Sequence, residues 1–198
     1  MTDSTRSAHE LFGYRLHARD GSLGHVHDLF FDDRRWIVRY VVVDLHRWRP
    51  GRRVLISPVC VRHVDTRRRR LDVSLGLDQI RRAPGVDADR PVSRQHEIAL
   101  HEYYGIPWYW ADEPPAASDD PHLRSMRAVR GYTAATRDAA VGHVMDFLID
   151  SGWTVVALVV ARRVWLSAPR RFVSVGTVMR VSWLGKTVYL DPDAAAAA

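Results

Sequence analysis

Cysteine is nearly absent: Cys60 stands alone in 198 residues. A single thiol excludes an intrachain disulfide and a cysteine-based zinc site, and it suits a reducing, cytoplasmic setting. Lysine is nearly absent too, Lys186 being the only one. The net charge of +6 is therefore an arginine charge. It reads as coding bias first, and as the footprint of an acidic partner, nucleic acid included, only second. Long hydrophobic runs are missing. Residues 155–161, VVALVVA, are far too few to span a bilayer, and the opening MTDSTRSAHE lacks the basic-then-apolar order of a secretion signal. Catalytic signatures are missing as well. No G-x-S-x-G occurs, and Gly21-Ser22-Leu23-Gly24 has no Lys-Ser/Thr and no following helix to cradle a phosphate. His96 and His101 are five residues apart, not four, so their imidazoles leave a helix in different directions. Cys60 sits in an apolar stretch, where a thiol is normally inert. His25 and His27 share one face of a strand, but two imidazoles make an incomplete metal site. No cofactor, metal or catalytic residue is expected, and the chain reads as a non-enzyme.

What is present is a repeat. Residues 13–32, GYRLHARDGSLGHVHDLFFD, return 118 positions later as GYTAATRDAAVGHVMDFLID. The copies agree at Gly13/Gly131, Tyr14/Tyr132, Arg19/Arg137, Asp20/Asp138, Gly24/Gly142, His25/His143, Val26/Val144, Asp28/Asp146 and Asp32/Asp150. A repeat settles architecture before any residue is interpreted. Strands are predicted over residues 14–18, 23–31, 36–44, 53–56, 60–65 and 71–75 from alternation and β-branched content. Asp20-Gly21 marks a type I′ hairpin between the first two. Short strands with tight turns predict a small barrel. Asp20, Gly21, Gly24, Asp28, Asp138, Gly142 and Asp146 are the structural turn residues of the two copies. Arg162-Arg163-Val164-Trp165-Leu166-Ser167 matches Arg52-Arg53-Val54-Leu55-Ile56-Ser57 at a shift of only 110. On that alignment the second copy has shed the loop after its third strand.

Five segments follow: a disordered leader (1–10), a first barrel (11–78), a connector (79–121), a second, degenerate barrel (122–192) and an alanine tail (193–198). In the connector, Ser93 starts a helix over residues 94–104 that Gly105 ends. The aromatics Tyr103, Tyr104, Trp108, Tyr109 and Trp110 follow as a plug between barrels, and residues 112–121 as a linker.

These residues resemble the PRC-barrel family, the β-barrel shared by the photosynthetic reaction-centre H subunit's cytoplasmic domain and a bacterial ribosome maturation factor. The resemblance rests on G-x-x-x-x-x-x-D-G-x-x-G-x-V-x-D from Gly13 to Asp28, then Asp32, then Trp36-x-x-Arg39-Tyr40-Val41-Val42-Val43-Asp44, then Val54-Leu55-Ile56-Ser57-Pro58. Pro91 to Arg94 and Tyr103 to Trp110 look like the helix and aromatic cluster of its tandem subfamily. The resemblance implies a mainly β fold, two PRC-type barrels in tandem joined by a short helix and an aromatic connector. It carries over no shared catalytic residues.

The expected function is a soluble scaffold or adaptor that binds a protein partner through its barrel surface. The alternatives are an accessory subunit of a membrane electron-transfer complex, associated peripherally and assisting docking or proton transfer, and an RNA- or ribosome-associated factor. Self-association is compatible with all three. The predicted partner residues are Arg47, Trp48 and Arg49 in the loop retained by copy one, with Arg39 and Asp44 on the strand before it; Trp and Arg are the hot-spot types. Arg67 to Arg70 form a second basic turn.

Overall fold

The computed structural model describes residues 5–45, 51–86, 94–107, 122–162 and 169–192. Its elements run in chain order as β1 (Arg6–Ser7), a 3-10 turn (His9–Leu11), β2 (Arg15–Ala18), β3 (Gly21–Asp32), β4 (Ile37–Asp44), β5 (Arg53–Ile56), a second 3-10 turn (Pro58–Cys60), β6 (Val61–Asp65), β7 (Arg70–Val73), α1 (Leu77–Arg82), β8 (Gly85–Val86), α2 (Arg94–Tyr104), β9 (Leu123–Ser125), α3 (Met126–Val129), β10 (Thr133–Ala135), β11 (Ala140–Ile149), β12 (Val155–Ala161), β13 (Arg170–Ser174), a third 3-10 turn (Val175–Thr177), β14 (Val178–Ser182) and β15 (Thr187–Leu190).

Among the described residues the protein is mainly β, with two sheets. One follows the order β6-β7-β2-β3-β4-β5-β8, with β9 against β3; the other follows β14-β15-β10-β11-β12-β13, with β1 against β11. Except for β8 these are one path drawn twice, down to the parallel pairs β2–β7 and β10–β15. The sequence repeat is therefore a repeat of topology. Among the described residues the hydrogen-bonded order of each sheet is open at both ends.

The chain divides into two compact units. Unit N holds residues 11–30 and 39–123; unit C holds 1–10, 31–38 and 124–198. The units run differently from the expected segments in two places. The predicted connector helix belongs with the first repeat, and the hairpin tip of the first repeat belongs with the second. Within unit C, Val155 N–H donates to the Trp36 carbonyl at 2.6 Å and Val38 N–H to the Trp153 carbonyl at 2.9 Å. Both tryptophans have positive φ, 55° and 66°. Phe31 packs on Phe147 with ring centroids 5.3 Å apart. The predicted leader is also structured from Arg6 onward: Arg6 pairs with Ile149 and Ser7 with Leu148, and Ala8 is buried.

Three local expectations change. The first hairpin turns on Arg19 and Asp20, with Ala18 opposite Gly21, and Asp20 has no positive φ. The Asp20 carboxylate instead accepts the Leu77 N–H at 2.7 Å, at the start of α1. Gly24 and Gly142 lie inside β3 and β11 rather than in turns. A Cβ on Gly24 would sit 2.5 Å from the Asp44 carbonyl oxygen, and one on Gly142 would sit 2.6 Å from that of Ala161. Both are glycines because a neighbouring strand passes where a side chain would be. The 110 shift is also wrong. Val42 pairs with Leu55 and Asp44 with Arg53; Val159 pairs with Phe172 and Ala161 with Arg170. The true shift is 117, so the loop after the third strand is equally long in both copies. The Arg-Arg-Val-x-x-Ser likeness was a decoy.

Candidate functional site

A buried polar arrangement lies under α2 in unit N. Strand β4 is buried almost throughout, because alternate residues face opposite sides and both sides are covered. Tyr40 and Val42 join Phe30, Leu55, Leu100 and Leu123 in one apolar cluster, with Tyr104 packed against it. From α2, Glu97, Leu100, His101 and Tyr104 share the i, i+3, i+4, i+7 face. Glu97 and His101 are buried, and both meet the Tyr40 hydroxyl. That hydroxyl donates to Glu97 Oε1 at 2.8 Å and lies 3.1 Å from His101 Nε2. His101 Nδ1 lies 2.9 Å from the Pro107 carbonyl, which can only accept, so Nδ1 carries a hydrogen.

A different feature marks unit C. Met179 is 70% exposed, Trp183 54% and Leu184 96%. Met179 lies in β14, and the turn that carries Trp183 and Leu184 matches its counterpart by its bonds: Lys186 N–H donates to Trp183 O and Arg69 N–H to Thr66 O, each at 3.3 Å. Lys186 and Arg69 also share a positive φ, 44° and 49°. At the shift of 117 the positions of Met179, Trp183 and Leu184 are held in unit N by Arg62, Thr66 and Arg67. The fold therefore does not require apolar residues there.

No protein-family model and no curated protein matches the chain.

Arg47, Trp48 and Arg49, and in the connector Trp108, Tyr109 and Trp110, lie outside the described residues. Arg39 is buried, and Asp44 is half-buried, 4.0 Å from Arg53. These two do not form an open surface. Tyr103 donates its hydroxyl hydrogen to the Gln79 carbonyl at 2.8 Å, tying α2 to α1. Burial raises the Tyr104 phenol well above its ordinary range. Both tyrosines thus serve packing inside unit N. Asp28 accepts the Leu29 N–H at 2.7 Å. Asp146 accepts from Phe147 N–H at 2.8 Å and His9 N–H at 3.1 Å, and from the Ser7 hydroxyl. Asp138 is exposed, and its turn is closed by Thr136 bonding Ala139. The basic turn is largely spent internally: Arg68 faces Asp65, Arg69 lies over the Tyr14 ring and Arg70 pairs with Asp72 at 2.8 Å. Burial raises the Cys60 thiol, leaving little thiolate. No helix among the described residues is long and apolar enough to cross a membrane.

Sequence reading missed both features. The trio of Tyr40, Glu97 and His101 was legible as Glu97 and His101 at i, i+4, but His96 drew attention to the wrong pair. The exposed set was legible by comparing the copies, but only at the correct shift.

Proposed function

We propose that the chain is a tandem PRC-barrel protein acting as a non-catalytic scaffold or adaptor that holds a protein partner on unit C. The duplicated strand order is compatible with two PRC-type barrels. The observation that carries the functional reading is the exposed set Met179, Trp183 and Leu184, at positions where the sister repeat has Arg62, Thr66 and Arg67. Large apolar side chains left exposed on a strand and its turn, with Arg180 and Lys186 close by in sequence, suit an interaction surface, and Trp is a characteristic anchor. This moves the partner surface from the first repeat to the second.

The test uses the sister repeat as its guide. The variant Met179→Arg, Trp183→Thr, Leu184→Arg carries side chains that the same backbone already accepts in unit N. Its stability should stay within about 0.5 kcal/mol for each exposed change. Partner recovery from the native cell, after nuclease treatment, should fall at least about tenfold, equivalent to roughly 1.4 kcal/mol. Undiminished recovery by the folded variant would refute the site. The Trp183-Leu184 tip followed by Lys186 favours one other reading, an accessory subunit docking peripherally at a membrane complex. Flotation of the purified chain with anionic phosphatidylserine vesicles, abolished in the same variant, would support that reading instead.

A further inference from the structure

We propose that the outer face of β11, β12 and β13 in unit C is a docking groove for an acidic amphipathic helix of the partner. The proposal rests on the reading that unit C binds a protein, and it specifies the chemistry of that protein. The template is internal. In unit N this face consists of Phe30, Tyr40, Val42 and Leu55, and it is covered by α2 through Leu100 and Tyr104. The registers place Ala157, Val159 and Phe172, and the repeat at a shift of 118 places Leu148, at the same positions in unit C; of these Val159 is buried, as Val42 is. Leu55 is fully buried, whereas Phe172 is 65% exposed. Leu148 and Ala157 are half-buried where Phe30 and Tyr40 are buried. The edge differs in the same sense: β5 is flanked by β8, but no strand among the described residues flanks β13 on its outer side.

Two substitutions between the copies define the occupant. Ala157 replaces Tyr40, so the floor has lost the hydroxyl that Glu97 and His101 meet. A helix seated here needs apolar residues where α2 carries those two polar groups. Ala161 replaces Asp44, the carboxylate beside Arg53, while Arg170 retains the position of Arg53. Arg170 is exposed, and Arg171 follows it. An apolar floor with an arginine rim that has lost its carboxylate fits a helix whose apolar stripe is bordered by Asp or Glu.

The probe is a labelled synthetic peptide of about 18 residues, long enough to hold a helix. It carries Leu at the spacing of Glu97, Leu100, His101 and Tyr104, and Glu elsewhere; a control peptide carries Lys in place of Glu. Fluorescence anisotropy on the full chain should show saturable binding of the Leu/Glu peptide and at least tenfold weaker binding of the Leu/Lys peptide. Phe172→Asp should weaken the Leu/Glu peptide at least tenfold. Arg170→Glu, an exposed change that leaves the floor intact, should reverse the preference between the two peptides. No saturation up to about 1 mM peptide, a Kd weaker than roughly −4 kcal/mol of binding, would overturn the groove, as would equal binding of both peptides or indifference to Phe172→Asp. If the groove fails while the triple variant still loses its cellular partner, the adaptor reading stands without the helix. If the peptides behave as stated and the triple variant keeps its partner, the groove stands and the β14–β15 tip does not.

Discussion

Replacing Gly24 by alanine should destabilise unit N by roughly 2–5 kcal/mol, the sum of a left-handed backbone penalty and an overpacked contact. Gly24 has φ +72°, and an added Cβ would lie 2.5 Å from the Asp44 carbonyl oxygen, 2.8 Å from Leu45 Cδ2 and 2.9 Å from Val43 Cγ1. The leucine end could shift. The carbonyl cannot, because β4 is held on β5 by Val43–Val54 and Asp44–Arg53 pairing and by the bond from Leu45 N–H to the Arg52 carbonyl at 2.9 Å. Gly142→Ala meets the same obstacle, the Ala161 carbonyl at 2.6 Å, but its φ is not positive. Its cost should be the overpacking share alone, about 1–3 kcal/mol. Denaturant melts of the two variants should therefore rank Gly24→Ala below Gly142→Ala, and both below the parent. A parent-like Gly24→Ala would show that β3 and β4 are not held at this separation.

Tyr40→Phe should also be damaging although it deletes a single oxygen. The ring stays in the apolar cluster, so little packing is lost. Glu97 Oε1 and His101 Nε2, both on buried side chains, lose the hydroxyl that joins them. Removing the hydroxyl leaves buried polar atoms one hydrogen bond short and should cost about 1–3 kcal/mol. The control exploits the asymmetry of that penalty. Replacing the whole trio, as Tyr40→Phe, Glu97→Leu and His101→Leu, removes the groups that need satisfying and should recover part of the loss. A triple variant less stable than Tyr40→Phe would indicate that the trio stabilises by its charges rather than by satisfying buried groups. Neutral behaviour of Tyr40→Phe would mean that the hydroxyl does not anchor α2.

Much of this architecture was legible in the sequence. The strands of the first repeat start and end close to where β-branched alternation placed them, and α2 ends at Gly105, whose φ is +63°. Those features are local: each is dictated by the spacing of side chains along a few residues. The repeat of Gly24 and Gly142 was visible too, but its reason was not. A glycine required by a turn and one required by a passing carbonyl look alike until the second strand is in place. The same holds for Asp20, whose sequence neighbour Gly21 suggests a hairpin while its carboxylate is used by α1, 57 positions away.

Composition, repeat and periodicity by themselves determined that the protein is mainly β and duplicated, with a helix over residues 94–104. The tertiary structure alone decided that residues 31–38 belong with the second repeat, because the bonds between Trp36, Val38, Trp153 and Val155 join positions more than a hundred residues apart. It also decided the shift of 117. Register is a property of two paired strands, so only the pairing of Val159 with Phe172 could show which apolar residue of unit C occupies the place of the buried Leu55. Exposure of that residue to water depends on whether a helix lies over it, and covering one sheet face with a segment from elsewhere in the chain is a long-range contact that no local pattern encodes.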